Sequence, residues 1–187
     1  DGIRHLVVMG MGGSSLFPEV LARSFLPQPG RPALRVLDTT DPATVARVAH
    51  ECPPAETLFI ASSKSGGTIE TLSHLAAVQG FEGPRHIAVV TDPGSSLAER
   101  AVDEGFRALF ENPADIGGRY SALSLFGLVP AAAAGLDVRA LLASAVEAES
   151  EHPLAAAVVR YARANGVAPL RAVSFRSTPG QGTTAVV

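Results

Sequence analysis

Short runs of apolar, β-favouring residues alternate along this chain with stretches of helical period. Leu6-Val7-Val8-Met9 is continuous and apolar and stops at Gly10, the pattern of a buried strand. A Gly/Ser turn follows, then a helix over residues 17–25. Leu34-Arg35-Val36-Leu37 predicts a second strand. Asp41 is placed to cap a helix that has Pro42 at its first position and runs to residue 50. Thr57-Leu58-Phe59-Ile60-Ala61 predicts a third strand, followed by a helix over 68–79. His86-Ile87-Ala88-Val89-Val90 predicts a fourth, followed by a helix over 96–104 and a short fifth strand within 106–110.

Repeated strand–helix units with buried strands imply an α/β fold: a three-layer α/β/α sandwich around a parallel, doubly wound sheet. Loops leaving the carboxyl ends of such strands converge on one edge, where ligands bind. Three loops qualify: 10–15, 62–68 and 111–121. From residue 122 to 165 the composition shifts to Ala and Leu, which predicts two or three helices broken near Gly135 and Pro153. Ala172-Val173-Ser174-Phe175 predicts a further strand, and the Thr/Gly/Pro-rich tail 176–187 shows no period. No internal repeat is present. The first strand lies almost at the start of the chain, which reads as a piece of a longer polypeptide.

Composition narrows the class. The 187 residues, 47% of them hydrophobic, suffice for one α/β domain with or without a helical extension. No apolar run approaches the roughly 18 residues of a membrane helix. Asp1-Gly2-Ile3-Arg4-His5 is not a secretory signal. The single cysteine, Cys52, excludes an internal disulfide framework and fits a reducing, cytoplasmic compartment. A net charge of −3 with eight Phe, two Tyr and no Trp argues against a nucleic-acid surface. Of the 15 basic side chains, 14 are Arg and one is Lys, and that lysine is Lys64.

Lys64 stands in Ser62-Ser63-Lys64-Ser65-Gly66-Gly67-Thr68, between a strand and a helix. Backbone N–H groups at a helix N-terminus attract anions, and glycines let the chain wrap close to one. Ser63, Ser65 and Thr68 add hydroxyl donors and Lys64 a positive charge, the donor set a phosphate monoester needs. A Ser-capped helix with a flexible loop is the plainer alternative. The loop Gly10-Met11-Gly12-Gly13-Ser14-Ser15 approaches the dinucleotide fingerprint G-x-G-x-x-G but ends in Ser15, with Asp38 where a ribose-binding acid stands. It serves equally for close backbone approach to a small polar ligand, or as a tight packing turn. In Asp115-Ile116-Gly117-Gly118-Arg119-Tyr120-Ser121, two glycines open space for the Arg119 guanidinium to stabilise a developing oxyanion, or the arginine is simply solvated. Glu70 falls in the first turn after the lysine loop, as a dipole-favoured carboxylate or a group facing substrate. The five histidines show no metal spacing, and Cys52 has no partner thiol or base.

Taken together, the loops resemble the first sugar-isomerase (SIS) domain of the glucose-6-phosphate isomerase family, nearest in flavour to the isomerase half of bacterial transaldolase–isomerase fusions. The resemblance rests on Gly10-Met-Gly-Gly-Ser-Ser-Leu-Phe-Pro18, on Ser63-Lys-Ser-Gly-Gly-Thr-Ile-Glu-Thr71, and on Gly117-Gly-Arg-Tyr-Ser-Ala-Leu-Ser-Leu-Phe-Gly127 with its continuation to Asp137. It covers residues 2–138 and fades towards Asn165. It implies a sheet of about five strands and an SIS domain over 1–138, with a helical extension and irregular tail over 139–187 that stops before a second SIS domain. It implies that Ser63, Lys64, Ser65 and Thr68 hold a hexose 6-phosphate, that Gly13 and Ser14 line the sugar, and that Arg119 stabilises an enediolate while Glu70 presents a carboxylate. It implies no metal and no organic cofactor, and a homodimer for the full-length enzyme. The family's glutamate base, ring-opening histidine and late lysine come from the second domain or beyond, and no position here matches them. Two other readings stand beside this one: a non-catalytic SIS sensor of sugar phosphates, and a nucleotide-binding oxidoreductase domain resting on Gly10, Gly12 and Asp38.

Overall fold

A computed structural model of the chain describes residues 2–147, 174–178 and 182–186. Strands β1 (His5–Gly10), β2 (Ala33–Leu37), β3 (Thr57–Ser62), β4 (Ile87–Thr91) and β5 (Ala108–Glu111) form one sheet in the order β2-β1-β3-β4-β5. Every pairing in it is parallel. The helices between them are α1 (Leu16–Ser24), α2 (Pro42–Glu51), α3 (Ile69–Glu82) and α4 (Ser96–Asp103), and α5 (Leu125–Ala133) follows β5. The expected α/β sandwich is what the chain forms, and each predicted strand of the sheet is present within two residues of its expected ends.

Alternation along the strands divides the core in two. Val7, Met9, Phe59, Ala61, Ile87 and Val89 point to one face, where Val45 and Val48 of α2, Leu75 and Val78 of α3 and Leu97 of α4 cover them. Leu6, Val8, Ile60, Ala88 and Val90 point to the other, under Phe126 and Val129 of α5. Helix α1 packs beside α5 and on β2. The strands are apolar on both faces because both faces are covered, which is why they read as continuous runs rather than as alternation.

The strand order locates the functional edge. The chain leaves β1 to one side, for β2, and after β2 crosses to the other side, for β3. The carboxyl ends of β1 and β3 therefore diverge at a topological switch point, and a crevice opens there. Gly10 and Ser62 are register partners at that end, so the two loops depart side by side.

The chain divides into two compact units, Asp1–Leu136 and Asp137–Val187. The second contains α6 (Val138–Glu147), whose first turn is capped by Asp137: its Oδ1 accepts from the N–H groups of Arg139 and Ala140 at 3.0 and 3.1 Å. It also contains an antiparallel two-stranded sheet of β6 (Ser174–Thr178) and β7 (Gly182–Val186). The pattern of the tail predicts irregular chain here. Gly182, Thr183 and Thr184 pair with Thr178, Ser177 and Arg176, and polar β-formers in a two-stranded ribbon leave no apolar alternation to read. The predicted break at Pro153, and Ala172 and Val173 of the expected strand, lie outside the described residues.

Candidate functional site

A cleft of about 420 Å³ opens at the switch point. Met11, Gly13 and Ser14 line it from the β1 loop, and Lys64, Ser65 and Thr68 from the β3 loop. Asp92, just past β4, closes one side, and Gly118, Ser121 and Phe126 come from beyond β5. All three loops singled out in the sequence thus meet in one cleft of ligand-binding size.

The β1 loop is fixed by its neighbours. Ser62 Oγ donates to the Ser14 carbonyl at 3.1 Å, and Ser121 Oγ lies 2.6 Å from the Gly13 carbonyl. A Cβ on Gly13 would stand 2.4 Å from the Gly118 carbonyl oxygen, so glycine is needed there for backbone to lie on backbone.

The β3 loop runs into α3. Ser63 is buried, and its hydroxyl pairs with that of Thr68 at 2.9 Å. Ser63 therefore backs Thr68 and does not line the cleft itself. Ser65 Oγ accepts from the Gly67 N–H at 3.2 Å. Gly66 has φ +71°, and a Cβ there would meet Ser95 at 2.8 Å. Helices α2, α4 and α5 begin with side-chain caps from Asp41, Ser95 and Ser124. The two helices that start at the switch point, α1 and α3, have none. The first N–H groups of α3 are thus left to be satisfied from outside the helix.

Lys64 is the cation of the cleft wall, and its ammonium is engaged. Nζ donates to Asp92 Oδ2 and, at 2.6 Å, to the Ala114 carbonyl. Asp92 returns the link through its backbone, its N–H donating to the Lys64 carbonyl at 3.1 Å. The other Asp92 oxygen, Oδ1, is buried and has no partner. A Cβ on Gly117 would lie 2.5 Å from Lys64 Cδ, so the lysine stem runs directly beneath that glycine.

The β5 loop is held from within by Asn112, which is fully buried. Its Nδ2 donates to the carbonyls of Pro113 (2.9 Å) and Ile116 (3.1 Å), and its Oδ1 accepts from the Leu125 N–H at 3.1 Å. Arg119 lies in the 3-10 segment Gly118–Leu123 that follows. Glu70 lies half-buried in the first turn of α3 and is not among the lining residues. Asp92 and Asn112 carry the connections of the site, and sequence reading passes over both. Each stands alone just after a strand, and its position there is the one signal that could have marked it.

Among the described residues no histidine lines the cleft, and no group of three His, Cys, Asp or Glu is placed to hold a metal ion. His74 and His86 instead bond the carbonyls of Thr39 and Thr57, each at 2.9 Å. No helix among the described residues is long and apolar enough to cross a membrane.

Residues 1–170 match the family model described as phosphoglucose isomerase. The chain belongs to that family. It is 36% identical over 175 residues to the glucose-6-phosphate isomerase of Rubrobacter xylanophilus, covering 82% of this chain and 40% of that protein. It is 40% identical over 154 residues to that of Thermus thermophilus, covering 78% of this chain and 36% of the relative. The phosphoglucose isomerase match extends to solved structures. A hypothetical protein of Thermus thermophilus aligns with a TM-score of 0.69 at 36% identity, over 86% of this chain and 42% of that one. A glucose-6-phosphate isomerase of Chlamydia trachomatis aligns with a TM-score of 0.61 at 26% identity, over 89% of this chain and 35% of that one. The chain thus spans about two-fifths or less of the length of these relatives.

Proposed function

We propose that this chain supplies the phosphate-binding half of an active site that interconverts glucose 6-phosphate and fructose 6-phosphate. The observation that carries the proposal is the convergence of the uncapped α3 N-terminus, Ser65, Thr68 and the β1 loop on one cleft at the switch point. The phosphate takes the hydroxyls of Ser65 and Thr68 and the free N–H groups of α3. Ser63 orients Thr68 from behind, and the Lys64 charge stands close by. Gly13 and Ser14 line the sugar. Arg119 stabilises the negative charge that grows on oxygen as a proton moves between adjacent carbons through an enediol, and Glu70 presents a carboxylate from the first turn of α3. Grip on the phosphate, remote from the reacting carbons, orients them. No metal or organic cofactor enters this scheme. The full-length protein is a cytoplasmic homodimer in this reading, and its second sugar-isomerase domain brings the remaining acid–base groups. The matched relatives carry an isomerase name, which favours the enzyme over a non-catalytic sensor.

Calorimetry on the chain tests it. Glucose 6-phosphate binds and glucose does not. Ser65→Ala and Thr68→Val each weaken binding about tenfold, since a hydrogen bond to a charged group contributes about 1.5 kcal/mol or more. A coupled assay shows little or no turnover. Equal affinity for glucose and its 6-phosphate, or unchanged affinity in both variants, would overturn the phosphate assignment. A rate near that of full-length relatives would overturn the half-site.

A further inference from the structure

The lone lysine makes more connections than an anion ligand needs. Its ammonium donates to Asp92 and Ala114, its carbonyl accepts from Asp92, and its stem supports Gly117. We infer that Asp92 and Lys64 form a clamp that positions the β5 loop over the cleft, with Asp92 a positioning residue that acts through Lys64. The inference deepens the function proposed above, and its sugar-binding arm rests on that reading.

Few side chains tie the β5 loop to the loops of other strands: Ser121 Oγ donates to the Gly13 carbonyl at 2.6 Å, and Lys64 reaches Ala114. Over residues 113–116, three carbonyls are held by side chains: those of Pro113 and Ile116 by Asn112, and that of Ala114, between them, by Lys64. Asn112 belongs to the loop itself, so it shapes the loop but ties it to no other strand's loop. The Lys64 ammonium connects it to the β3 loop, and Asp92 connects both to the end of β4. Beyond the clamp, Gly117 rests on the lysine stem and Gly118 on Gly13. That sequence of contacts fixes the backbone as far as Gly118, a lining residue of the cleft and the neighbour of Arg119. A lysine suits the task, because a flexible stem of four carbons passes under a glycine and still ends in three donors. Of those donors, two are used within the protein.

The clamp and direct phosphate ligation make opposite predictions. If Lys64 works as a clamp, loosening it frees the β5 loop and weakens recognition of the sugar more than of the phosphate. If Lys64 is a phosphate ligand restrained by Asp92, Asp92→Asn releases it and phosphate binds more tightly.

Hydrogen exchange on the intact chain decides between them without any ligand. Lys64→Met and Asp92→Asn each speed exchange of the amides over residues 116–120 at least tenfold, with β1 and β3 amides unchanged. The double variant exchanges no faster than the faster single. Unchanged exchange at 116–120 in either variant overturns the clamp, as do additive effects. Should either variant disturb β1 as well, Gly117→Ala serves. It speeds loop exchange in the parent chain, where its Cβ meets the lysine stem, and has under half that effect in a Lys64→Ala background; an equal effect in both overturns the clamp. Titration with glucose 6-phosphate and with inorganic phosphate then separates the two proposals. The clamp predicts at least a fivefold greater loss for the sugar phosphate than for phosphate in both variants. Equal losses in Lys64→Met with tighter phosphate binding in Asp92→Asn identify a direct ligand and overturn it. If the parent chain binds neither probe, the proposed function fails and the exchange result still decides the clamp.

Discussion

Two adjacent glycines in the β1 loop are needed for different reasons. Gly12 has φ +54° with open space around its missing Cβ, so its requirement is conformational. Gly13 has an ordinary φ, but its Cβ position is filled by Gly118 backbone. Gly12→Ala is expected to cost about 1 kcal/mol, the strain of a left-handed residue. Gly13→Ala is expected to cost more, towards 3 kcal/mol, because a backbone atom cannot move aside as a side-chain end can. Urea unfolding of both variants checks the order, and a Gly13→Ala midpoint above that of Gly12→Ala would contradict it. The glycines of this loop were legible in the sequence as a tight approach. What approaches was not, because Gly118 lies about a hundred residues away and no local rule joins the two.

Helix starts show how an element is placed by one side chain. Asp41 caps α2 by accepting from the Thr44 N–H at 2.9 Å, and Pro42 supplies the fixed φ of the first turn. That hydrogen bond, with help from the Thr44 hydroxyl, holds the Asp41 carboxyl below its usual 3.8. The group binds its proton less readily folded than unfolded. Its stabilisation is therefore present above pH about 3.8 and is lost as pH falls through the lowered value. Exchange of the Thr44 amide should accelerate in that acid range, and Asp41→Asn should keep the cap and abolish the acid step. An acid step that persists in the variant would assign it to another group. This cap was readable in advance because Asp-Pro before an amphipathic run is a local signal. The same locality explains the strands, whose apolar runs are bounded by turns. Their spatial order was not readable, since β1 pairs with strands from both sides and its apolar residues fit either neighbour.

At the scale of the whole molecule, the two-faced core sets what is accessible. Cys52 ends α2 with its side chain fully buried in the cluster beneath α2 and α3. Burial pushes its thiol above the ordinary value. Iodoacetamide at neutral pH should therefore leave Cys52 unmodified in the folded chain, and alkylation should rise only across the urea range where circular dichroism reports unfolding. Fast labelling without denaturant would show that α2 opens independently of the sheet. The cleft was legible as three separate loops, each ambiguous alone. Their meeting in one cleft follows from the parallel sheet, which turns sequence order into a common edge. Asp92 and Asn112 escaped notice because no motif encodes their partners: a lysine on another loop for Asp92, and for Asn112 two carbonyls of its own loop with the Leu125 N–H.

The pairing of Gly10 with Ser62 has a consequence for how such a site can diversify. The β1 and β3 loops leave adjacent strands at the same level, so their separation is fixed by the spacing of about 4.8 Å between hydrogen-bonded strands. Selection on point substitutions can change the chemistry of that floor but not its width. The β5 loop is different. It starts two strands away from β3, and at Ala114 it accepts a hydrogen bond from Lys64, which in turn is paired with Asp92. Descendants of this scaffold that take larger or smaller ligands are expected to keep the first two loops nearly constant in length. Their insertions and deletions should accumulate between residues 112 and 118, on the one wall that inheritance is free to move.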